Sequence, residues 1–182
     1  DCISLGVGEP DFKTPWAVRD AGIRNLEMGQ TRYTSNSGMK ELRTEICKYL
    51  DRRFDLHYDP DSQVLVTVGG SEAIDIGIRA LVNPGDEVII PEPCYVCYDP
   101  ITHLTGGKVV SIPLQEKNQF RLTAEELKAA ITPRTKLLIL PFPCNPTGAV
   151  MGKEDLEAIA EVLRGTDIMV LSDEIYAELT YG

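Results

Sequence analysis

An acid and a phenol stand three residues apart in Ser172-Asp173-Glu174-Ile175-Tyr176, directly after the apolar run Ile168-Met169-Val170-Leu171. Such a run reads as a short, fully buried strand, and in an open α/β sheet ligands bind beyond the carboxyl ends of the strands. Asp173 is then where a shielded charge meets a ligand, with Tyr176 in reach of the same one. The alternative is that Asp173 only caps the next turn, as Ser and Asp do at many strand-to-helix joints. A second strand end, Leu140-Pro141-Phe142-Pro143-Cys144-Asn145-Pro146-Thr147-Gly148, presents an amide. The side chain of Asn145 can donate to a ligand oxygen from a turn built by Pro143, Pro146 and Gly148. In Val68-Gly69-Gly70-Ser71-Glu72-Ala73 a strand turns into a helix. The free backbone N–H groups and positive dipole end of such a helix form an anion site, most often for phosphate. Read alone, the two glycines simply make a tight turn. Tyr95 follows another apolar run and either stacks on a planar ring or packs over the sheet edge.

These residues need a sheet to bring them together, and the chain between them supplies one. Val64-Leu65-Val66-Thr67-Val68 reads as a strand, with a helix from Glu72 to Val82 and a break at Asn83-Pro84-Gly85-Asp86. Further strands are expected from Glu87 to Pro91, Lys108 to Ile112, Lys136 to Leu140 and Ile168 to Leu171. Helices are expected from Cys94 to Leu104, interrupted by Pro100, and from Lys153 to Arg164. Another runs from the capping box Thr123-Ala124-Glu125-Glu126 to Ile131. Continuous apolar strands alternating with helices predict an α/β fold, a mostly parallel sheet with helices on both faces. Upstream, Thr14 as N-cap and Pro15 at the first helical position open a helix that reaches Met28 and stops at Gly29. A polar loop from Thr31 to Gly38 contains Tyr33. A second amphipathic helix runs from Met39 to Arg53, with Leu42, Ile46, Tyr49 and Leu50 on one face.

With that topology, an anion site, a stacking aromatic, an amide donor and an acid–phenol pair fall on one edge of one sheet. The set suits a flat, charged, phosphorylated heteroaromatic ring. Bulk properties narrow the field further. A net charge of −10 over 182 residues argues against nucleic acid and against an anionic membrane surface. No apolar run approaches a membrane span. The five cysteines, Cys2, Cys47, Cys94, Cys97 and Cys144, are odd in number and scattered, unlike a disulfide framework. Cys94 and Cys97 form an isolated CxxC with no second pair and no nearby His, so free thiols in a reducing cytoplasm are expected rather than a metal site. His57 and His103 match no hydrolase triad. Residues 6–12, Gly6-Val7-Gly8-Glu9-Pro10-Asp11-Phe12, lack the third glycine of a dinucleotide loop and read as a surface turn or a Gly-lined loop that admits a ligand. The first residue is Asp1, not Met, which points to a trimmed chain or a fragment.

Six stretches together carry a family resemblance: Gly8-Glu9-Pro10-Asp11-Phe12; Tyr33-Thr34 with Gly38; Gly69-Gly70-Ser71-Glu72-Ala73; Pro84-Gly85-Asp86-Glu87-Val88; Asn145-Pro146-Thr147-Gly148; and Ser172-Asp173-Glu174-Ile175-Tyr176. In this order and spacing the chain resembles the N-terminal half of a class I/II aminotransferase, a fold-type I enzyme dependent on pyridoxal 5'-phosphate (PLP). The last two stretches are the most specific.

The resemblance implies roles. Asp173 would pair with the pyridine nitrogen and keep it protonated. Asn145 and Tyr176 would hydrogen-bond the ring's phenolic oxygen. Gly70, Ser71 and the backbone N–H of Glu72 would hold the phosphate, and Tyr95 would stack on the ring. Tyr33 would reach the phosphate of the neighbouring subunit's cofactor, which implies a homodimer, and Gly8 would lie beside the substrate carboxylate. Residues 1–30 would be an N-terminal arm and helix, part of a small domain or dimer contact, and 31–182 an incomplete PLP-binding large domain. The substrates implied are an amino acid and a 2-oxo acid, in cytoplasmic amino-acid metabolism. The family's Schiff-base lysine lies in a downstream segment that this chain does not contain. No lysine here matches it, so no catalytic residue is assigned and the chain alone is expected to be inactive. A carbon–sulfur lyase or related synthase of the same fold, and a non-catalytic ligand-sensing domain of a regulator, remain alternatives at this point.

Overall fold

The structure, a computed structural model, describes residues 2–3, 6, 8–9 and 12–180. Of the stretch 6–12, Val7, Pro10 and Asp11 lie outside the described residues. The chain divides into two compact units, Asp1–Leu65 and Val66–Gly182.

The first unit holds two helices, α1 (Trp16–Glu27) and α2 (Lys40–Phe54). Pro15, rather than Thr14, is the N-cap of α1, and no side chain caps that end. Past Met28 the chain leaves the helix at Gly29, whose φ of 67° is cheap only without a Cβ. The apolar stripe expected on α2 is only partly covered, with Ile46 and Leu50 half-buried. Leu42 and Tyr49 are exposed, and the buried residue is Arg43. Its guanidinium is satisfied instead by backbone, donating to the carbonyls of Gly38 and Pro60.

The second unit is an α/β layer structure. Its elements are α3 (Gly70–Leu81), β1 (Glu87–Glu92), α4 (Tyr98–Leu104), β2 (Lys108–Pro113), a 3₁₀ turn (Glu116–Asn118), α5 (Ala124–Ala130), β3 (Thr135–Leu140), α6 (Lys153–Leu163) and β4 (Met169–Ser172). Four strands form one sheet in the order β2-β1-β3-β4. Every pairing is parallel. In β1 and β3, Val88 faces Leu137 and Ile89 faces Leu138 in register. Side chains alternate between the two faces of a strand. Ile89 and Leu138 therefore pack with Leu127 and Ile159 on one side. Val88, Ile90, Leu137 and Ile139 pack with Ile74, Ile78 and Tyr98 on the other. Each fully buried aliphatic side chain contributes about 1.5–3 kcal/mol, so the two central strands anchor the unit.

Local signals explain the helix positions. Thr123 and Glu126 form the expected capping box at the start of α5, with Thr123 N–H donating to Glu126 at 3.0 Å and Glu126 N–H donating to Thr123 at 3.3 Å. Helix α4 begins at Tyr98, four residues later than expected. Pro100 then falls in its first turn, where the missing N–H costs nothing. Helix α3 lies close on β4: a Cβ at Gly77 would stand 3.1 Å from Cδ1 of Leu171. The expected strand from Val64 to Val68 is absent. A strand exists only through its ladder, and no described segment pairs with this one. Leu65 and Val68 are exposed.

Candidate functional site

Strand β1 ends in the turn that carries Tyr95, β3 in the turn that carries Asn145, and β4 runs directly into Asp173. Those three turns and the start of α3 line a cleft of about 500 Å³. Gly70, Ser71, Tyr95, Asn145, Asp173 and Tyr176 all border it. A volume of this order suits a small-molecule ligand. The sheet thus gathers six expected site residues at one edge, from positions as far apart in sequence as 70 and 176.

The cleft meets the first turn of α3. Gly69 adopts φ 85°, a conformation that favours glycine, and the helix starts at the next residue. No side chain caps this end, so its N–H groups face outward with the positive end of the helix dipole. The Glu72 carboxylate turns back to accept the N–H of Val68 and does not line the cleft. Ser71 Oγ and Tyr95 Oη are 3.2 Å apart.

Asp173 lines the same cleft, and both its oxygens are held. Oδ1 accepts from the Ile175 N–H at 3.1 Å. Oδ2 accepts from the Tyr98 hydroxyl at 2.9 Å. Its backbone N–H donates to the Leu140 carbonyl at 3.1 Å, carrying the β3–β4 ladder one residue past the strand. Among the described residues the lining contains no Lys or Arg, and its formal charges are those of Asp173 and Glu174. The Ser172 hydroxyl donates to the Glu174 carboxylate at 3.0 Å. An acid and a bare helix N-terminus in one cleft, with no cation among its described lining residues, make it complementary to a ligand that carries both a cationic and an anionic group.

Tyr98 is absent from the sequence-based site. Its ring is buried and sits edge-on to Tyr95, with centroids 6.0 Å apart. Burial, then the neighbouring Asp173 carboxylate, pushes its phenol well above the usual tyrosine range, so it stays a donor. The available signal was the spacing in Tyr95-Val96-Cys97-Tyr98, two phenols three residues apart on one turn. Beside them, burial and the charge of Glu92 push the Cys94 thiol up to about 12, and burial together with Asp173 raises Cys97. Both thiols are held in the protonated, unreactive form.

Tyr33 and Gly8 belong to the other compact unit. Tyr33 is fully exposed, in a groove of that unit with Arg32 and Lys40. Gly8 is exposed, with open space where a Cβ would stand. No described helix is long and apolar enough to cross a membrane.

A parallel α/β sheet with its ligand cleft beyond the strand ends, lined by a helix N-terminus and an acid, is the arrangement of a nucleotide- or cofactor-binding domain. The family model for aminotransferase class I and II matches residues 1–182, and the chain belongs to that family. It is 55% identical over 179 residues to the Bacillus subtilis protein YugH, covering 98% of this chain and 46% of that one. It is 44% identical over 181 residues to the aspartate aminotransferase of Pyrococcus abyssi, covering 100% and 46%. Among solved structures, the aromatic aminotransferase of Pyrococcus horikoshii superposes with a TM-score of 0.95 at 42% identity, over 99% of this chain and 48% of that one. The chain spans about half the length of the relatives it matches.

Proposed function

We propose that the chain is the cofactor-binding half of a PLP-dependent aminotransferase, which moves an amino group between an amino acid and a 2-oxo acid. The observation that carries this reading is the cleft's lining: Asp173, with no cation among the described lining residues, together with the uncapped start of α3 and Ser71. The residues present fit a cofactor with a protonatable ring nitrogen and a phosphate. When bound, that cofactor supplies an electron sink for the substrate's Cα. Asp173 holds the proton on the ring nitrogen, because an ion pair in a shielded place favours both charged forms. The amide of Asn145 and the hydroxyl of Tyr176 donate to the ring's phenolic oxygen. Gly70 and Ser71, with the backbone N–H of Glu72, bind the phosphate, and the Tyr95 ring covers one face and excludes water.

The same proposal assigns Tyr33 to a neighbouring subunit's phosphate in a homodimer and Gly8 to the substrate carboxylate. It places residues 1–30 in an arm and 31–182 in the cofactor domain, although the compact units divide between Leu65 and Val66. It sets the protein in the cytoplasm and the Schiff-base lysine outside this chain, which alone is then inactive. Relatives named for aspartate, aromatic amino acids and aspartate/prephenate match the same stretch at 42–44% identity. This half is therefore read as carrying the cofactor, with the choice of donor set elsewhere.

The test uses the full-length protein with added PLP, an amino-acid panel and 2-oxo acids. Amino transfer, lost in Asp173→Ala while cofactor binding is weakened but still measurable, is expected. Release of ammonia and a 2-oxo acid from the donor, with no aminated acceptor, would instead identify a lyase. A protein that binds no PLP would end the cofactor reading altogether.

A further inference from the structure

We infer that Tyr98 is the positioning residue of this site: its buried hydroxyl fixes the Asp173 carboxylate in the orientation that meets the ring nitrogen. The inference rests on the cofactor reading above and adds to it a residue from a different element.

A carboxylate at the end of a strand is free to rotate about its last torsion unless its oxygens are engaged. Here three bonds remove that freedom. The backbone of Asp173 is pinned to β3 through Leu140. Oδ1 is held by the N–H of its own turn at Ile175. Oδ2 is held by Tyr98 from the first residue of α4, 75 positions earlier in the chain. The first is a ladder bond that any residue here would make, and the second is local to the turn. The third is the one that ties the carboxylate to a side chain of another element, α4.

The Tyr98 bond is made wholly within the protein. Its residue is 1% exposed, and its ring packs in the core with Ile78 and Ile90. A phenol oxygen there has no ready access to water, and losing its partner would leave a buried donor unsatisfied. The hydroxyl is therefore committed to Asp173 before any ligand arrives. Two of the carboxylate's roughly four lone-pair sites are then taken by the protein, and the others remain for an incoming cation. Holding the group ready in this way removes an ordering cost from binding. The same turn also reaches the anion site. Tyr95 touches Ser71 there and meets Tyr98 edge-on.

A residue that merely filled the core would act through its ring. One that positions Asp173 acts through its oxygen, and Tyr98→Phe removes only that atom. The experiment uses the full-length protein, with PLP binding followed by fluorescence quenching and the bound cofactor's visible absorption followed against pH. Tyr98→Phe is expected to leave the thermal midpoint of the cofactor-free protein within a few degrees of wild type. It should weaken PLP binding about tenfold, the scale of one hydrogen bond to a charged group, and shift the spectral titration. In an Asp173→Ala background the same change should cost no further affinity, because its target is gone. Unchanged affinity and titration in Tyr98→Phe would overturn the inference and leave the cofactor reading standing. So would an equal loss in the Asp173→Ala background, which would show that the oxygen acts on packing. A wild-type protein that binds no PLP would remove both.

Discussion

Glu87 opens β1 as a charged residue only 5% exposed. Its Oε1 receives Nε and Nη2 of Arg134 at 2.9 and 2.6 Å, and its Oε2 receives the Thr132 hydroxyl. Its backbone N–H donates to the Arg134 carbonyl at 2.8 Å. Arg134→Ala would leave this carboxylate with Thr132 alone. Breaking a fully buried ion pair costs about 3–5 kcal/mol, and an exposed pair contributes no more than about 1. Here the acid side chain is 6% exposed and the base 63%, so the expected loss is intermediate, about 2 kcal/mol at neutral pH. The loss should depend on pH in one direction. Bonds from Thr132 first, and from Arg134, hold Glu87 below the usual carboxylate range against the opposing effect of burial. A carboxyl depressed in the folded state stabilises above its unfolded pKa, and that contribution disappears as pH falls through the folded value. The gap between wild type and Arg134→Ala should thus be widest at neutral pH. It should begin to narrow below about pH 4.5, the ordinary glutamate range. Thermal midpoints of full-length wild type and variant, taken from pH 7 to pH 3.5, measure it. A gap that stays flat or widens on acidification would refute the assignment of the loss to Glu87.

Two further perturbations test the packing and the thiols. At Gly107 a Cβ would stand 2.8 Å from Cγ1 of Val82 and 3.1 Å from Cγ2 of Thr102, so Gly107→Ala should destabilise by about 1–3 kcal/mol. Gly22→Ala, in open space on α1, should instead stabilise by about 0.5 kcal/mol, and equal effects in denaturation would contradict the geometry. With its thiol pushed up to about 12, Cys94 should react with iodoacetamide at pH 8 at least about a hundredfold more slowly than an ordinary thiol. Peptide mapping against exposed Cys2 measures this, and matched rates would show that Cys94 is not shielded.

Features whose causes are local were legible in the sequence. The capping box at Thr123 needs only residues 123–126, and the structure forms it. The strands around Val88 and Leu138 read plainly because both faces of a parallel sheet are covered, leaving no polar alternation to misread. The cleft residues 70, 71, 95, 145, 173 and 176 were reachable because the strand-end rule converts topology into proximity. What failed depends on partners. Val64 to Val68 has the composition of a strand, yet pairing is a property of two segments. The apolar stripe of α2 predicts a buried face only if something covers it, and Leu42 and Tyr49 remain exposed while Arg43 is buried by backbone carbonyls. Tyr98 escaped for a related reason. Its role lies in a bond to residue 173, and nothing in its own neighbourhood announces that partner.

The strand order also sets a timetable. Strands β1 and β2 are sequence neighbours and can pair as soon as α4 has folded between them, whereas β3 enters on the other side of β1 and β4 then joins β3. A chain made from its N-terminus presents the anion site of the cleft, at Gly70 and Ser71, long before Asp173 exists. Until β4 docks on β3, Tyr98 has no carboxylate to accept its hydrogen bond, and the cleft has one wall missing. Ligand capture in this sense follows the order of synthesis: of these four strands, the one made last carries the acid of the site.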